Sequence, residues 1–166
     1  VSTGRKKRVF ALWNELMRMD IGIVKAVVCG GFLLIEGIRD FRRREISVIS
    51  CAAAMIIGIL IRLCGGDLSW FDFLASLAVG GFLLLLSFLS NESIGYGDGL
   101  VMLAVGVLLG GAVAVKLLCF ALFLCGIFSG ILFLFRKAGR KSRIPFVVFL
   151  VPSYCVLIFA EVLGNR

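Results

Sequence analysis

Two aspartates, Asp40 and Asp98, lie where strongly hydrophobic segments of the sequence meet polar ones. Asp40 follows the first hydrophobic segment and Asp98 precedes the fourth, so two complete segments lie between them. If each segment crosses a membrane, the second and third carry the chain across and back, which places both carboxylates on one face. A carboxylate close to hydrocarbon is costly and usually has a function. Two of them on the same face indicate acid–base chemistry at a membrane surface.

The elements that must position these carboxylates are six apolar segments, which cover residues 21–38, 46–64, 68–89, 99–115, 116–135 and 144–163. About 20 helical residues cross the hydrocarbon core of a bilayer, where only helices and closed barrels satisfy the backbone. Because the apolar runs are continuous rather than alternating, the sequence predicts an all-α integral membrane protein, a bundle of six transmembrane helices. We expect residues 1–20 to form a separate basic segment and residues 21–166 to form the transmembrane domain.

The positions of the basic residues predict the orientation of the bundle. They cluster in the first and fifth connections, at Arg39, Arg42, Arg43 and Arg44 and at Arg136, Lys137, Arg140, Lys141 and Arg143. Basic loops stay cytoplasmic, so loops one, three and five and both aspartates are expected on that side. The net charge of +8 is explained by these loops, and no nucleic-acid partner is expected.

The basic N-terminus disagrees with this orientation, which places it outside. Three explanations are open: residues 1–16 form an amphipathic interfacial segment, the true start is Met17 or Met19, or the topology is inverted.

Several familiar kinds of site are excluded or not expected. Histidine is absent, which excludes nucleophilic mechanisms that need it. The six cysteines lie in or at the ends of apolar segments without a C-x-x-C pair, at Cys29, Cys51, Cys64, Cys119, Cys125 and Cys155. Such cysteines are typical of small packing residues, so we expect neither a metal nor a cofactor.

Other polar and small residues in the segments have structural interpretations. Glycine pairs and the two G-x-x-x-G patterns at Gly106/Gly110 and Gly126/Gly130 predict close helix–helix contacts. We place the turn between segments four and five near Gly110-Gly111 and Lys116. Side chains near the segment ends are expected to reach the interface: Lys25, Arg62, Lys116 and Glu161. Glu36 precedes Asp40 by one turn and is expected to share its face or to pair with Arg39 or Lys25.

A glycine-rich stretch surrounds the second aspartate. Gly95, Gly97 and Gly99 alternate with Tyr96 and Asp98. Glycine frees the backbone for sharp turns and for close approach of another chain. We therefore predict a loop with room for an extended peptide, and Gly95, Tyr96, Gly97 and Gly99 are candidate substrate-binding residues. The simpler interpretation makes Asp98 a helix N-cap and Asp40 a loop carboxylate paired with arginines.

Together these motifs resemble those of the type IV prepilin peptidase family of intramembrane aspartic proteases. Asp40 with Ile46 is similar to the family's D-x-x-x-x-x-I-P loop, and Gly95-Tyr96-Gly97-Asp98 to its G-x-G-D motif. Ile144-Pro145-Phe146 resembles its I-P-F segment, and the likeness runs from about residue 21 to 163. Ser47 stands where many members have proline. The long cytoplasmic domain that bifunctional members use for N-methylation is absent, so the chain resembles the short, peptidase-only members of tight-adherence (Flp) pilus systems.

The resemblance implies a function and a site. It implies an aspartic endopeptidase, with Asp40 and Asp98 catalytic, that cleaves prepilin-like leader peptides (type IV or Flp pilin, or pseudopilin) after a small residue at the cytoplasmic face of the inner membrane. A preflagellin-type substrate is a further possibility within this class. Two close carboxylates share one proton; the sequence does not assign which of them carries it, although a position near a helix N-terminus favours Asp98 as the ionised partner. The main alternative is a small transporter or proton-coupled channel, which predicts acidic residues near the bilayer midplane.

Overall fold

The structure, a computed structural model, describes residues 2–43, 45–65, 69–89, 95–134 and 146–164. These residues form six α-helices: α1 (Ser2–Arg43), α2 (Val48–Gly65), α3 (Trp70–Leu89), α4 (Tyr96–Leu109), α5 (Gly111–Leu134) and α6 (Val147–Gly164). Within the described ranges there is no strand, which confirms the all-α class. Helix α1 continues without a break across residue 20, where the sequence predicted a boundary between two segments.

Four helices are long and apolar enough to cross a membrane. The spans are Ile21–Arg43 in α1, Val48–Gly65, Trp70–Leu89 and, within α5, Gly111–Ile131. Helix α4 and the apolar stretch Val147–Glu161 of α6 are shorter. At 1.5 Å per residue, α4 extends only about 21 Å, whereas the hydrocarbon core is about 30 Å thick. The multi-helix membrane architecture is therefore found, with four helices that have the length of a span rather than the six that the sequence predicted.

Helix α4 lies in the centre of the bundle. Its residues are apolar on every side, as expected of a helix without a solvent face. Most of them are fully buried: Gly99, Val101, Met102, Ala104, Val105, Gly106, Val107 and Leu108. In contrast, large side chains on the outer faces of α2 and α3, such as Ile49 and Phe71, are exposed on the bundle surface, where lipid would cover them.

Glycines allow α3 to pack against α4 at backbone distance. A Cβ atom at Gly80 would lie 2.6 Å from the backbone nitrogen of Leu103, and one at Gly106 would lie 2.7 Å from the carbonyl oxygen of Ser76. The contact at Gly80 is one that a predicted glycine pair makes, and Gly106 shows the packing role predicted for the first G-x-x-x-G pattern, whereas Gly110 of that pattern ends α4. The second pattern was misread, because a Cβ at Gly126 or at Gly130 would meet nothing within 4 Å.

The break between α4 and α5 lies at the predicted Gly110-Gly111 pair, earlier than the segment boundary drawn after residue 115. Helix α4 ends at Leu109 rather than near residue 115, and α5 begins at Gly111. Gly110 joins them with a φ of +102°, a conformation that side chains disfavour and glycine adopts readily. Lys116, which was expected to mark the turn, lies inside α5.

Arg62 stabilises the C-terminal end of α4 from inside the bundle. It was expected to reach the interface, but it is only 3% exposed. Its Nε donates to the carbonyl oxygen of Val107 at 2.7 Å, and its Nη2 donates to the carbonyl oxygen of Gly106 at 3.3 Å. The carbonyl of Gly106 also accepts from the N–H of Gly110, whereas the N–H of Gly111, which would continue the helix to Val107, bonds Asp72 instead, so the guanidinium supplies the donor for Val107. The expectation for Arg62 was wrong because α4 ends inside the bundle, where its last carbonyl groups need hydrogen-bond donors. Composition does not reveal where in the fold a helix ends.

Asp72 completes this junction from the first turn of α3. Its Oδ2 lies 3.1 Å from Nη1 of Arg62, and its Oδ1 accepts a hydrogen bond from the backbone N–H of Gly111 at 3.1 Å. The carboxylate therefore lies at the N-terminus of α5, where negative charge is favourable. The ion pair between Arg62 and Asp72 thus stabilises both the end of α4 and the start of α5.

Helices α1 and α6 are aligned by small residues and one tyrosine. The hydroxyl of Tyr154 donates to the carbonyl oxygen of Ala26 at 2.7 Å. A Cβ at Gly37 would lie 2.9 Å from a methyl group of Val151, so the lack of a side chain there permits the contact. This packing brings the C-terminal end of α1 beside the first residues of α6.

Candidate active site

Asp40 lies near the C-terminal end of α1 and faces the start of α6. Its side chain is largely buried, and its Oδ2 accepts a hydrogen bond from the backbone N–H of Val147 at 3.2 Å. Val147 is the first residue of α6, so this carboxylate occupies the N-terminus of that helix. A negative charge is stabilised there both by the free N–H group and by the helix dipole.

Asp98 lies in the first turn of α4, outside the four spanning helices. Burial raises the pKa of its carboxyl group from the ordinary 3.8 to about 7, and the negative charge of Asp40 adds to this increase. Because the charge of Asp40 reaches Asp98, the two carboxylates lie near each other. Helices α1 and α4, separated by two complete helices in the sequence, thus bring together the two residues that the sequence singled out.

These surroundings act against the ionised form that the helix N-terminus favours for Asp98. The sequence suggested that Asp98 is ionised because it lies at a helix N-terminus. Proximity to a helix dipole is worth about 0.3–1 kcal/mol at most exposed sites. Burial and the charge of Asp40 act in the opposite direction and raise the pKa of Asp98 to about 7. Burial and the charge of Asp40 therefore outweigh the dipole and favour protonation of Asp98.

The predicted glycine-rich loop is instead the cap and first turn of α4, which begins at Tyr96. The expected room is largely filled by the protein itself. A Cβ at Gly97 would lie 2.9 Å from the Cβ of Ile46, and a Cβ at Gly99 would lie 2.8 Å from the side chain of Leu84. Gly95 lies against the carboxylate of Asp98 itself. The glycines thus let neighbouring segments of the chain approach Asp98.

The outer part of this motif remains accessible. Gly95 is exposed and Tyr96 is 57% exposed, whereas Gly99 is buried. The role of all four motif residues in substrate binding stays a prediction. The accessible residues Gly95 and Tyr96, rather than Gly97 and Gly99, are the ones that a substrate could contact.

Ser47 directly precedes α2 and stands where many of the resembling proteins have proline. Its hydroxyl oxygen accepts a hydrogen bond from the N–H of Ser50 at 3.3 Å, and its carbonyl oxygen accepts from the N–H of Cys51 at 3.1 Å. Ser47 is therefore an N-cap, one of the residue types preferred there. It also keeps a backbone N–H that proline would lack.

The carboxylate of Glu36 accepts a hydrogen bond from the backbone N–H of Ser47. It is fully buried, and its Oε2 lies 3.2 Å from the backbone nitrogen of Ser47. Its Oε1 lies 3.5 Å from Nη1 of Arg39, which confirms one of the predicted pairings. The contact with Ser47 was not predicted, although the serine's extra donor was a usable signal.

Parts of the predicted site fall outside the described residues. They are Arg44, the residues before Gly95 in the second motif, the fifth-loop basic residues, and Ile144 and Pro145 of the third motif. Phe146, which ends that motif, directly precedes α6 and the residue that binds Asp40.

Comparison with known families agrees with the motifs. The model of the type IV leader peptidase family matches residues 27–135, about two thirds of the chain, and this range includes both aspartates. No curated protein and no solved structure matches the chain. The match extends from α1 into the C-terminal part of α5 and confirms the predicted resemblance. The chain belongs to the type IV leader peptidase family.

Proposed function

We propose that this chain is an aspartic endopeptidase that removes the leader peptide of prepilin-like membrane proteins, with Asp40 and Asp98 as its catalytic residues. The observation that carries the proposal is the raised pKa of Asp98, caused by burial and by the charge of Asp40. Two carboxylates that share a site at a helix terminus are suited to acid–base catalysis near neutral pH. Family membership supplies the reaction class, peptide-bond cleavage.

The proposed mechanism follows from the different surroundings of the two carboxylates. Ionised Asp40 takes a proton from a bound water, whose oxygen attacks the scissile carbonyl. Protonated Asp98 donates a hydrogen bond to the oxyanion that develops. When the intermediate collapses, the pair supplies the proton that the leaving amine requires, and it ends with one shared proton, as it began. No group other than the two aspartates is needed for the proton transfers.

We further propose that all six helices traverse the membrane region, with the aspartates at the cytoplasmic face of the inner membrane. Contacts at the two ends of the bundle support alternating helix directions. The end of α1 and the starts of α4 and α6 meet at the aspartates, whereas the ends of α2 and α4 and the starts of α3 and α5 meet around Arg62. Arg42 and Arg43 end α1 on the aspartate side, as expected for a cytoplasmic face.

The positions of acidic residues favour a peptidase over a transporter. A proton-coupled transporter would place carboxylates near the bilayer midplane. From residue 21 onward, the described acidic side chains all lie between helices or within about two turns of a helix end: Glu36, Asp40, Glu45, Asp72, Asp98 and Glu161. These positions suit chemistry at an interface.

For the substrate we propose a basic leader followed by a hydrophobic helix, with a small residue, glycine, before the cut. Tyr96 and Gly95 are the accessible residues beside Asp98, and the filled space at Gly97 leaves no pocket for a large side chain there. This proposal also gives the chain a place in pilus assembly or pseudopilus-dependent secretion.

The test uses purified protein in detergent and a prepilin-like substrate in two versions, with glycine or phenylalanine before the expected cut. Mass spectrometry should find cleavage after glycine, no cleavage after phenylalanine, and no product with the Asp98→Asn variant. Equal cleavage of both versions would refute the proposed selectivity. Failure to cleave either one, together with proton flux in liposomes that depends on Asp98, would favour the transporter.

A further inference from the structure

The inference concerns the buried carboxylate of Glu36, which the proposed mechanism does not use. Glu36 lies one helical turn before Asp40 on α1. It is completely buried, and its Oε2 accepts the backbone N–H of Ser47, 11 residues further along the chain. A carboxylate in such a position is costly unless its oxygens are bound. We infer that Glu36 is a positioning residue that fixes the α1–α2 connection against the helix turn that carries Asp98.

The first step of the argument is the peptide unit that Glu36 binds. The N–H of Ser47 belongs to the peptide bond between Ile46 and Ser47. The side chain of Ile46 lies in the space that a side chain at Gly97 would need. Gly97 directly precedes Asp98. Glu36 therefore holds the residue that contacts the Asp98 turn, and it does so from the helix that carries Asp40.

The second step is the chemistry of residue 47. A proline at this position would have no N–H and would need no acceptor. Serine caps α2 through its hydroxyl but leaves one backbone donor in a partly buried connection, where the buried carboxylate of Glu36 accepts it. An unpaired buried donor is costly, so the connection would have to move toward water if Glu36 lost its oxygens. That movement would draw Ile46 away from Gly97 and change the spacing between the two aspartates.

The third step separates Ser47 from the other partner of Glu36. Arg39 lies 3.5 Å from Oε1, at the limit of a hydrogen bond, and its side chain is 48% exposed. Ion pairs with an exposed member contribute little. The Ser47 contact is the one that connects Glu36 to the second aspartate, and Arg39→Gln serves as the matched control.

This inference rests on the proposed function, and its test combines cleavage with stability. The variants are Glu36→Gln, which keeps an acceptor oxygen, Glu36→Leu, which removes it, Ser47→Pro, which removes the donor, and the double variant Glu36→Leu/Ser47→Pro. Glu36→Leu should lower kcat by roughly tenfold to a hundredfold, the penalty of one unpaired buried donor, with little change in KM because Glu36 is buried away from substrate. Glu36→Gln and Arg39→Gln should stay within about threefold of the wild type, since the Ser47 acceptor is retained.

The double variant gives the decisive result. Without a donor at residue 47, loss of the acceptor should matter little, so Glu36→Leu/Ser47→Pro should cleave about as fast as Ser47→Pro alone. The same pattern is expected in the Tm, where Glu36→Leu should lose several degrees and the double variant should regain most of the loss. Losses that simply add in both measurements would overturn the inference. If the wild type cleaved no leader peptide, the proposed function would fail, and the Tm cycle would still test the link between Glu36 and Ser47.

Discussion

Gly97→Ala provides a quantitative test of how the two aspartate segments fit together. The added Cβ would lie 2.9 Å from Cβ and 3.0 Å from Cγ1 of Ile46, and the Cδ1 of that side chain lies closer still. Contacts this short force a displacement, and overpacking of this kind typically costs about 1–3 kcal/mol. The gain in helix propensity on replacing glycine by alanine offsets up to about 1 kcal/mol. The net destabilisation should therefore be about 1–2 kcal/mol, or a Tm loss of roughly 2–8 °C.

The assay combines thermal unfolding in detergent with cleavage of the glycine substrate. Gly81→Ala is the matched control, because it lies in α3 and a Cβ there would meet nothing within 4 Å. It should leave the Tm unchanged or raise it. Gly97→Ala should slow cleavage by about tenfold, the equivalent of roughly 1.4 kcal/mol. The loss should affect every cleavable leader equally, because the alanine disturbs Ile46 rather than a substrate pocket.

A double-mutant cycle identifies the clash. Ile46→Ala removes two of the three atoms nearest to the new Cβ. Gly97→Ala and Ile46→Ala should therefore be coupled by about 1 kcal/mol, with the double variant less destabilised than the two changes in sum. An unchanged Tm in Gly97→Ala, or zero coupling with Ile46, would refute this reasoning. If instead the loss of cleavage depended on the substrate residue before the cut, the space at Gly97 would be occupied by substrate rather than by Ile46 alone.

Three further predictions concern protonation, the far end of the bundle and topology. Because its raised pKa of about 7 marks Asp98 as the protonated partner, cleavage should fall about tenfold per pH unit above this value, and a rate that rises through pH 8 would contradict the assignment. Arg62→Met removes three hydrogen bonds, to the carbonyls of Val107 and Gly106 and to the hydroxyl of Ser76. At about 0.6 kcal/mol each in a membrane protein, their loss should lower stability by about 2 kcal/mol. The exposed control Lys116→Gln should not change the Tm. In a cysteine-free background, an impermeant thiol reagent added outside cells should label Ser69→Cys but not Glu45→Cys; the reverse pattern would invert the topology.

The overall architecture was readable from the sequence because the bilayer imposes a simple rule. Continuous apolar runs have to become helices, and parity along the chain assigns the ends of those helices to faces. This reasoning brought Asp40 and Asp98 together before any coordinates were considered. The boundaries of α2 and α3 lie within two residues of the predicted ones, because polar residues flank both runs.

The interior of the bundle could not be predicted in the same way. Apolar runs show where helices lie but not which one is central, so the predicted fourth helix extended beyond the end of α4. The role of Arg62 depends on α4 ending inside the bundle, a tertiary feature with no local signal. The proton assignment required burial and the charge of a residue 58 positions away, and both act against the helix-terminus effect that the sequence displays.

The most direct test of the catalytic pair is single-turnover cleavage of a prepilin-like substrate by purified Asp40→Asn and Asp98→Asn, each compared with the wild type and with exposed Glu161→Gln. Asparagine keeps the shape of aspartate but cannot complete an acid–base pair. Both aspartate variants should fold, with near-wild-type Tm values, and each should lose essentially all cleavage, by a factor of about 10⁴ or more if the two residues act as a unit. Glu161→Gln should cleave like the wild type. Wild-type cleavage by either asparagine variant would contradict the aspartic mechanism.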